Sequence, residues 1–149
     1  MNSNNLLAGL GGAIVLTILN ETLKNVSGDM PRIELVGEEA VQKTAAFFGV
    51  EISDQDTLYG ASLVGDLLSN TTYFSLISGE GSALWTKAAS AGIVAGLGAV
   101  NLPSKLGLED EPVAKSPNTK LLTTAYYLAG ALTTAMLLQI LEKYNSTKL

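Results

Sequence analysis

The chain lacks cysteine and histidine altogether. Without cysteine, disulfides and thiolate metal sites are excluded, and the chain says nothing about redox compartment. Without histidine, the commonest metal ligand and the usual proton shuttle near neutral pH are missing. No metal site is therefore expected, and acid–base chemistry would fall to Glu21, Asp66, a tyrosine or a lysine of perturbed pKa. Charge is also scarce. Asp, Glu, Lys and Arg make up 15% of the residues, against roughly 25% in soluble globular proteins. The net charge of −5 argues against nucleic acid as a partner. Basic residues are missing from Met-Asn-Ser-Asn-Asn, ahead of the first apolar run. A signal peptide needs a positive n-region there, so the first apolar segment is expected to be retained.

What the chain does have is apolar residues in long blocks, 47% of the total, with a positive mean hydropathy. The length suits one domain, residues 1–149. The blocks predict an all-α integral membrane protein, a bundle of four transmembrane helices at about 6–23, 58–77, 83–102 and 121–141. Gly9, Gly12 and Ala13 in the first, and the run from Ala91 to Ala99 in the third, are small residues of the kind that let helices approach closely. Trp85 opens the third span where aromatic residues favour the interface, and Pro103 is expected to close it.

Two polar stretches interrupt the blocks. The first contains a turn at Gly28-Asp29-Met30-Pro31-Arg32 and then, over 34–48, the pattern of an amphipathic helix. Its acidic face makes contact with the protein more favourable than contact with anionic headgroups. Ser53-Asp54-Gln55-Asp56 offers N-cap residues for the second span. The other stretch, 104–119, reads as a polar loop. Residues 78–82 form a short connection, which predicts that spans two and three are antiparallel neighbours.

Four spans would put both termini on one side and both long loops on the other. The long-loop side holds Lys24, Arg32, Lys43, Lys105, Lys115 and Lys120, against Lys87, Lys143 and Lys148 opposite. That bias makes the long loops cytoplasmic and places the chain in the inner (plasma) membrane, with the termini on the far side.

The second predicted span carries Asp66, Asn70 and Tyr73, at steps of four and three, so a helix puts them on one stripe. An ionisable residue at membrane depth is a functional candidate by default. Antiparallel threading brings Glu21, Asp66, Asn101, Thr123, Tyr126 and Tyr127 into the long-loop half of the bundle, with Arg32 as the nearest cation. The set Glu21, Asp66, Asn70, Tyr73, Asn101, Tyr126 and Arg32 is thus a candidate intramembrane binding cluster. Interhelical hydrogen bonding alone would explain Asp66 and Asn70 equally well. Phosphate-binding loops, zinc-protease motifs and nucleophile elbows are missing, so the motifs name no reaction and any cofactor is unknown.

Asn20-Glu21-Thr22, Asp29-Met30-Pro31-Arg32, Gly65-Asp66-Leu67-Leu68-Ser69-Asn70 and Leu102-Pro103 resemble uncharacterised small four-helix bacterial inner-membrane proteins. Those proteins often have His where this chain has Asn20, so no role of that His carries over. The resemblance implies fold and location, and no activity.

Three functions follow as expectations. The first is a non-enzymatic protein working by assembly, as a homo-oligomer or a subunit of a membrane complex, through its Gly/Ala faces. The second is transport of a small polar solute or ion through the carboxylate cluster. The third is an enzyme acting on a lipid headgroup.

Overall fold

The computed structural model describes residues 2–146, which form six helices and no strands. They are α1 (Ser3–Leu23), α2 (Ile33–Phe47), α3 (Gln55–Phe74), α4 (Gly81–Lys105), α5 (Glu111–Ala114) and α6 (Pro117–Ser146). The chain is thus a small all-α protein with apolar helices of the kind that cross membranes.

Three of them, α1, α4 and α6, are long and apolar enough to span a bilayer. This corrects the expectation of four spans. Helix α3 has the length, at 20 residues. Its composition fails, because Asp56, Ser62, Asp66, Ser69, Asn70, Thr71 and Thr72 dilute the apolar residues. The four-transmembrane-helix bundle is overturned on this count, and so is the likeness to four-helix inner-membrane proteins.

Helix α6 is the centre of the assembly, with α1 on one flank and α4 on the other. Small residues permit both contacts. A Cβ at Gly12 would collide with Thr134 Oγ1 and the Gly130 carbonyl, and one at Gly92 would come 2.7 Å from Leu128 Cα. Helix α3 packs antiparallel along α1: Asn5 Nδ2 donates to the carbonyls of Ser75 (3.3 Å) and Ile77 (3.0 Å) at one end, and Glu21 meets Tyr59 at the other. The short connection does not make α3 and α4 close neighbours. Tyr73, near the end of α3, donates to the Ala91 carbonyl of α4 at 2.9 Å, but the two helices are not closely packed. A groove therefore opens between them, with α6 as its floor.

Local signals account for several of the helix ends. The side chains of Asn2 and Asp54 accept from Asn5 N (2.9 Å) and Thr57 N (2.8 Å), capping α1 and α3. Both α2 and α4 stop in Schellman turns, with Gly49 (φ 76°) and Gly107 (φ 75°) in the left-handed region. Leu108 N donates to the Pro103 carbonyl (2.8 Å) and Val50 N to the Ala45 carbonyl (2.9 Å) in these turns. Pro103 does not close its helix. It is buried inside the last turn of α4, and the glycine four residues later provides the stop. The second polar stretch also departs from a plain loop: Pro112, in the first turn where its missing N–H is harmless, starts the short α5 and buries Val113.

Helix α2 lies across α3, and Gly37 makes that possible. A Cβ there would overlap Ser62 Oγ and sit 3.0 Å from Asp66 Oδ2. The far side of α2 is tied to the α4–α5 loop, where Glu109 N donates to Glu39 Oε2 (2.7 Å) and Lys43 donates to the Gly107 carbonyl.

Candidate functional site

Where α1 ends and α2 begins, the chain builds a network of paired charge. Glu34, on the first turn of α2, is buried at 5% exposure. A carboxylate there needs donors. Asn20 Nδ2 reaches its Oε2 at 2.8 Å, Arg32 Nε its Oε1 at 2.9 Å, and Lys24 Nζ lies 3.7 Å away. The other end of the Asn20 amide accepts from Ile33 N at 3.0 Å, taking up one of the unbonded donors at the helix start.

Glu21 joins the same network: it accepts from Lys24 Nζ at 2.7 Å, from the Tyr59 hydroxyl at 2.6 Å and from Asn20 Nδ2 at 3.3 Å. Burial opposes the charge on Lys24, but the Glu21 hydrogen bond and the nearby Glu34 and Glu21 charges hold its pKa above the ordinary value. Asn20→Leu removes three hydrogen bonds, those to Glu34, to Glu21 and from the Ile33 N–H, and leaves that N–H orphaned. We expect a loss of roughly 2–3 kcal/mol, read as a lowered unfolding midpoint in detergent. An unchanged midpoint would show that the clip is dispensable.

Asp66 is the exception. It sits midway along α3, outside the three candidate spans, and among the described residues no donor reaches its carboxylate. Burial, with the Glu34 charge adding, pushes it up to about 6. Three carboxylates (Glu21, Glu34, Asp66) share this region with two cations (Lys24, Arg32), and both cations are committed to the glutamates. One negative charge is left without a partner.

Asp66 opens into the α3–α4 groove, a cavity of about 480 Å³. Its polar lining comes mainly from one side, with Asp66, Ser69, Asn70 and Tyr73 of α3 and Tyr127 of α6. The remaining walls are apolar, including Val36 and Ala40 of α2, Val94 and Leu102 of α4, and Leu106 beyond it. Val94, Leu102 and Leu106 are also more than half exposed. The apolar wall is therefore continuous with the outer flank of a candidate span.

The seven sequence candidates separate. Asp66, Asn70 and Tyr73 line the same cavity. Glu21 stands one step back in the paired network, joined to Asp66 by a small crevice along Asn20 and Glu34. Arg32 does not serve Asp66, because Glu34 takes its guanidinium and the rest of the side chain is exposed. Asn101 is exposed and donates to the Leu97 carbonyl of its own helix at 2.7 Å. Tyr126 is buried against Met30, its hydroxyl 3.5 Å from Sδ, and the adjacent Tyr127 lines the cavity instead.

Glu34, Gly37 and Lys24 belong to the arrangement and carry no motif. The one available signal was the Arg32-x-Glu34 pair at a helix start. Among the described residues no group of three His, Cys, Asp or Glu side chains is placed to hold a metal ion. Compared with known proteins, the chain matches no family model, no curated protein and no solved structure.

Proposed function

We propose that this is a membrane-embedded binding protein that takes a lipophilic cation from the bilayer into the α3–α4 groove, with Asp66 as its counter-ion. The observation that carries the reading is the unpaired carboxylate at one side of an otherwise apolar cavity. Pockets of this kind, apolar with a few convergent polar groups, are the usual form of small-molecule sites. An unpaired charge there is costly and is relieved by a proton or by a cation. Each cation bound to protonated Asp66 displaces one proton, so the site exchanges the two. Asn70, Tyr73 and Tyr127 supply polar contacts around the charge. The apolar, exposed edge of α4 supports entry from the lipid side.

Assembly through the Gly/Ala faces is a second reading, and it would need surfaces other than the glycines already engaged within the chain. The glycine faces of α1 and α4 are used within the chain, Gly9 against α3 and Gly12, Gly92 and Gly96 against α6.

The test is equilibrium dialysis of tetraphenylphosphonium against the protein in nanodiscs, comparing wild type with Asp66→Asn. Saturable binding, weakened roughly tenfold or more by the substitution, is the expected result, since a desolvated charge pair is worth more than 1.4 kcal/mol. Equal binding to both proteins would remove Asp66 from the site and with it this reading.

A further inference from the structure

The last turn of α2 ends in Phe47 and Phe48, edge to face with ring centroids 5.3 Å apart, and they are 84% and 74% exposed. Neither ring contributes to the core. Exposed aromatic pairs on a polar helix are unusual, and an apolar patch of this kind marks an interaction surface. The neighbouring structure says what covers it.

Phe47 lines a depression of about 370 Å³ together with Ala40, Lys43, Thr44, Leu106 and Leu108. Leu106, the residue that ends α4, is 70% exposed and lies one turn beyond exposed Leu102. Phe47, with Phe48 packed against it, is therefore continuous with the outer apolar flank of a candidate span.

Depth follows from helix geometry. Trp85 opens the same helix and is partly exposed. The 21 steps from Trp85 to Leu106 rise about 31 Å at 1.5 Å per residue, close to a hydrocarbon core of roughly 30 Å. With Trp85 at one interface, Leu106 and the rings beside it fall at the other. Lys105, on the last turn of α4, is exposed there and suits a lipid phosphate. Lys43 donates to the Gly107 carbonyl and so fixes the end of α2 to this level of α4.

We infer that Phe47, Phe48 and Leu106 insert into the headgroup–acyl boundary of the bilayer and anchor α2 there. The partner is phospholipid, and the depression takes the upper part of an acyl chain. Helix α2 thus has two attachments, Gly37 against α3 and the aromatic tip in lipid. Phe and Leu on the apolar side of a surface-lying helix are the usual inserted residues.

The absence of cysteine makes the test clean. Single cysteines replacing Phe47, Phe48 or Leu106 are spin-labelled in phosphatidylcholine nanodiscs, with Lys115→Cys as the water-exposed reference and Val94→Cys as the lipid-facing one. Collision with oxygen is compared with collision with a nickel chelate. We expect an oxygen-to-nickel ratio roughly fivefold or more above the Lys115 label, and below the Val94 label, at all three positions. A ratio equal to the Lys115 label would place the rings in water and overturn the inference. Shielding from both reagents would mean a protein partner or second copy covers them, which overturns it equally. If a labelled variant does not fold, Phe48→Trp in a Trp85→Phe background, read by quenching from brominated lipids, gives the same decision: strong quenching supports insertion and none contradicts it.

Discussion

Replacing Gly96 with leucine is expected to prevent α4 from docking on α6, whereas Gly98→Leu, two residues away, leaves the fold intact. A Cβ at Gly96 would stand 2.5 Å from Thr124 Cα and 3.0 Å from Thr124 Cβ. The nearest obstructing atom belongs to the α6 backbone and the Cβ is fixed to it, so neither can rotate aside and even alanine must push the helices apart. Overpacking of this kind costs about 1–3 kcal/mol for the first added carbon and more for a full side chain. Without a hydrophobic force between helices in lipid, close packing is a large part of what holds such a pair. At Gly98 a Cβ meets only Leu102 Cδ1 at 3.5 Å, an ordinary contact. Alanine there is expected to be neutral or to stabilise by up to about 1 kcal/mol through helix propensity. Size-exclusion profiles and thermal melts in one detergent separate the two. Similar melts for Gly96→Leu and Gly98→Leu would mean that the α4–α6 contact is not as close as described.

The second large effect concerns Asp66 and pH. Its carboxyl is pushed up to about 6 in the folded protein, above the ordinary aspartate value of 3.8, through burial first and the Glu34 charge second. A raised folded pKa means that the folded state binds the proton more tightly than the unfolded chain does. The resulting stability is fully present below about pH 4 and is lost as pH rises through about 6. Above that, an ionised and unpaired Asp66 opposes folding by about 2 kcal/mol, the pKa change converted and discounted for partial exposure. Asp66→Asn removes the penalty, so it is expected to raise stability by that amount at pH 8 and to change little at pH 4. Unfolding midpoints of both proteins across this range check the sign. A loss of stability at pH 8 on substitution would mean that Asp66 has a donor in the native protein.

Helix positions were the most legible part of the sequence. Apolar blocks and the Asp54 cap mark where helices run, because these signals are local. The number of spans was not legible by the same route. In α3 the apolar residues are dense enough to look like a span, but serine, threonine and asparagine between them lower the average below what a bilayer requires. Packing order was hidden as well. A short turn suggests that α3 and α4 are neighbours, yet the small faces of α1 and α4 both fit α6 and draw it between them.

The groove that results is a property of this three-way choice, and no residue spacing announces it. The candidate site was partly readable for the same reason. Asp66, Asn70 and Tyr73 share a helix, so periodicity alone places them on one wall. Asn101 and Tyr126 were assigned by depth, and depth does not fix rotation: one points outward and the other into the core. Glu34 was missed because a carboxylate at a helix start normally faces water, and only the fold reveals that Asn20 reaches across to bury it.

The most direct test of cation exchange at Asp66 is its carboxyl infrared band, assigned with Asp66→Asn, in nanodiscs at pH 5 with and without tetraphenylphosphonium. The expected result is a protonated carboxyl band without ligand that is lost as the cation saturates the site, with one proton released per cation bound. A band that survives saturation, or an Asp66 already ionised at pH 5, would contradict exchange at this carboxylate.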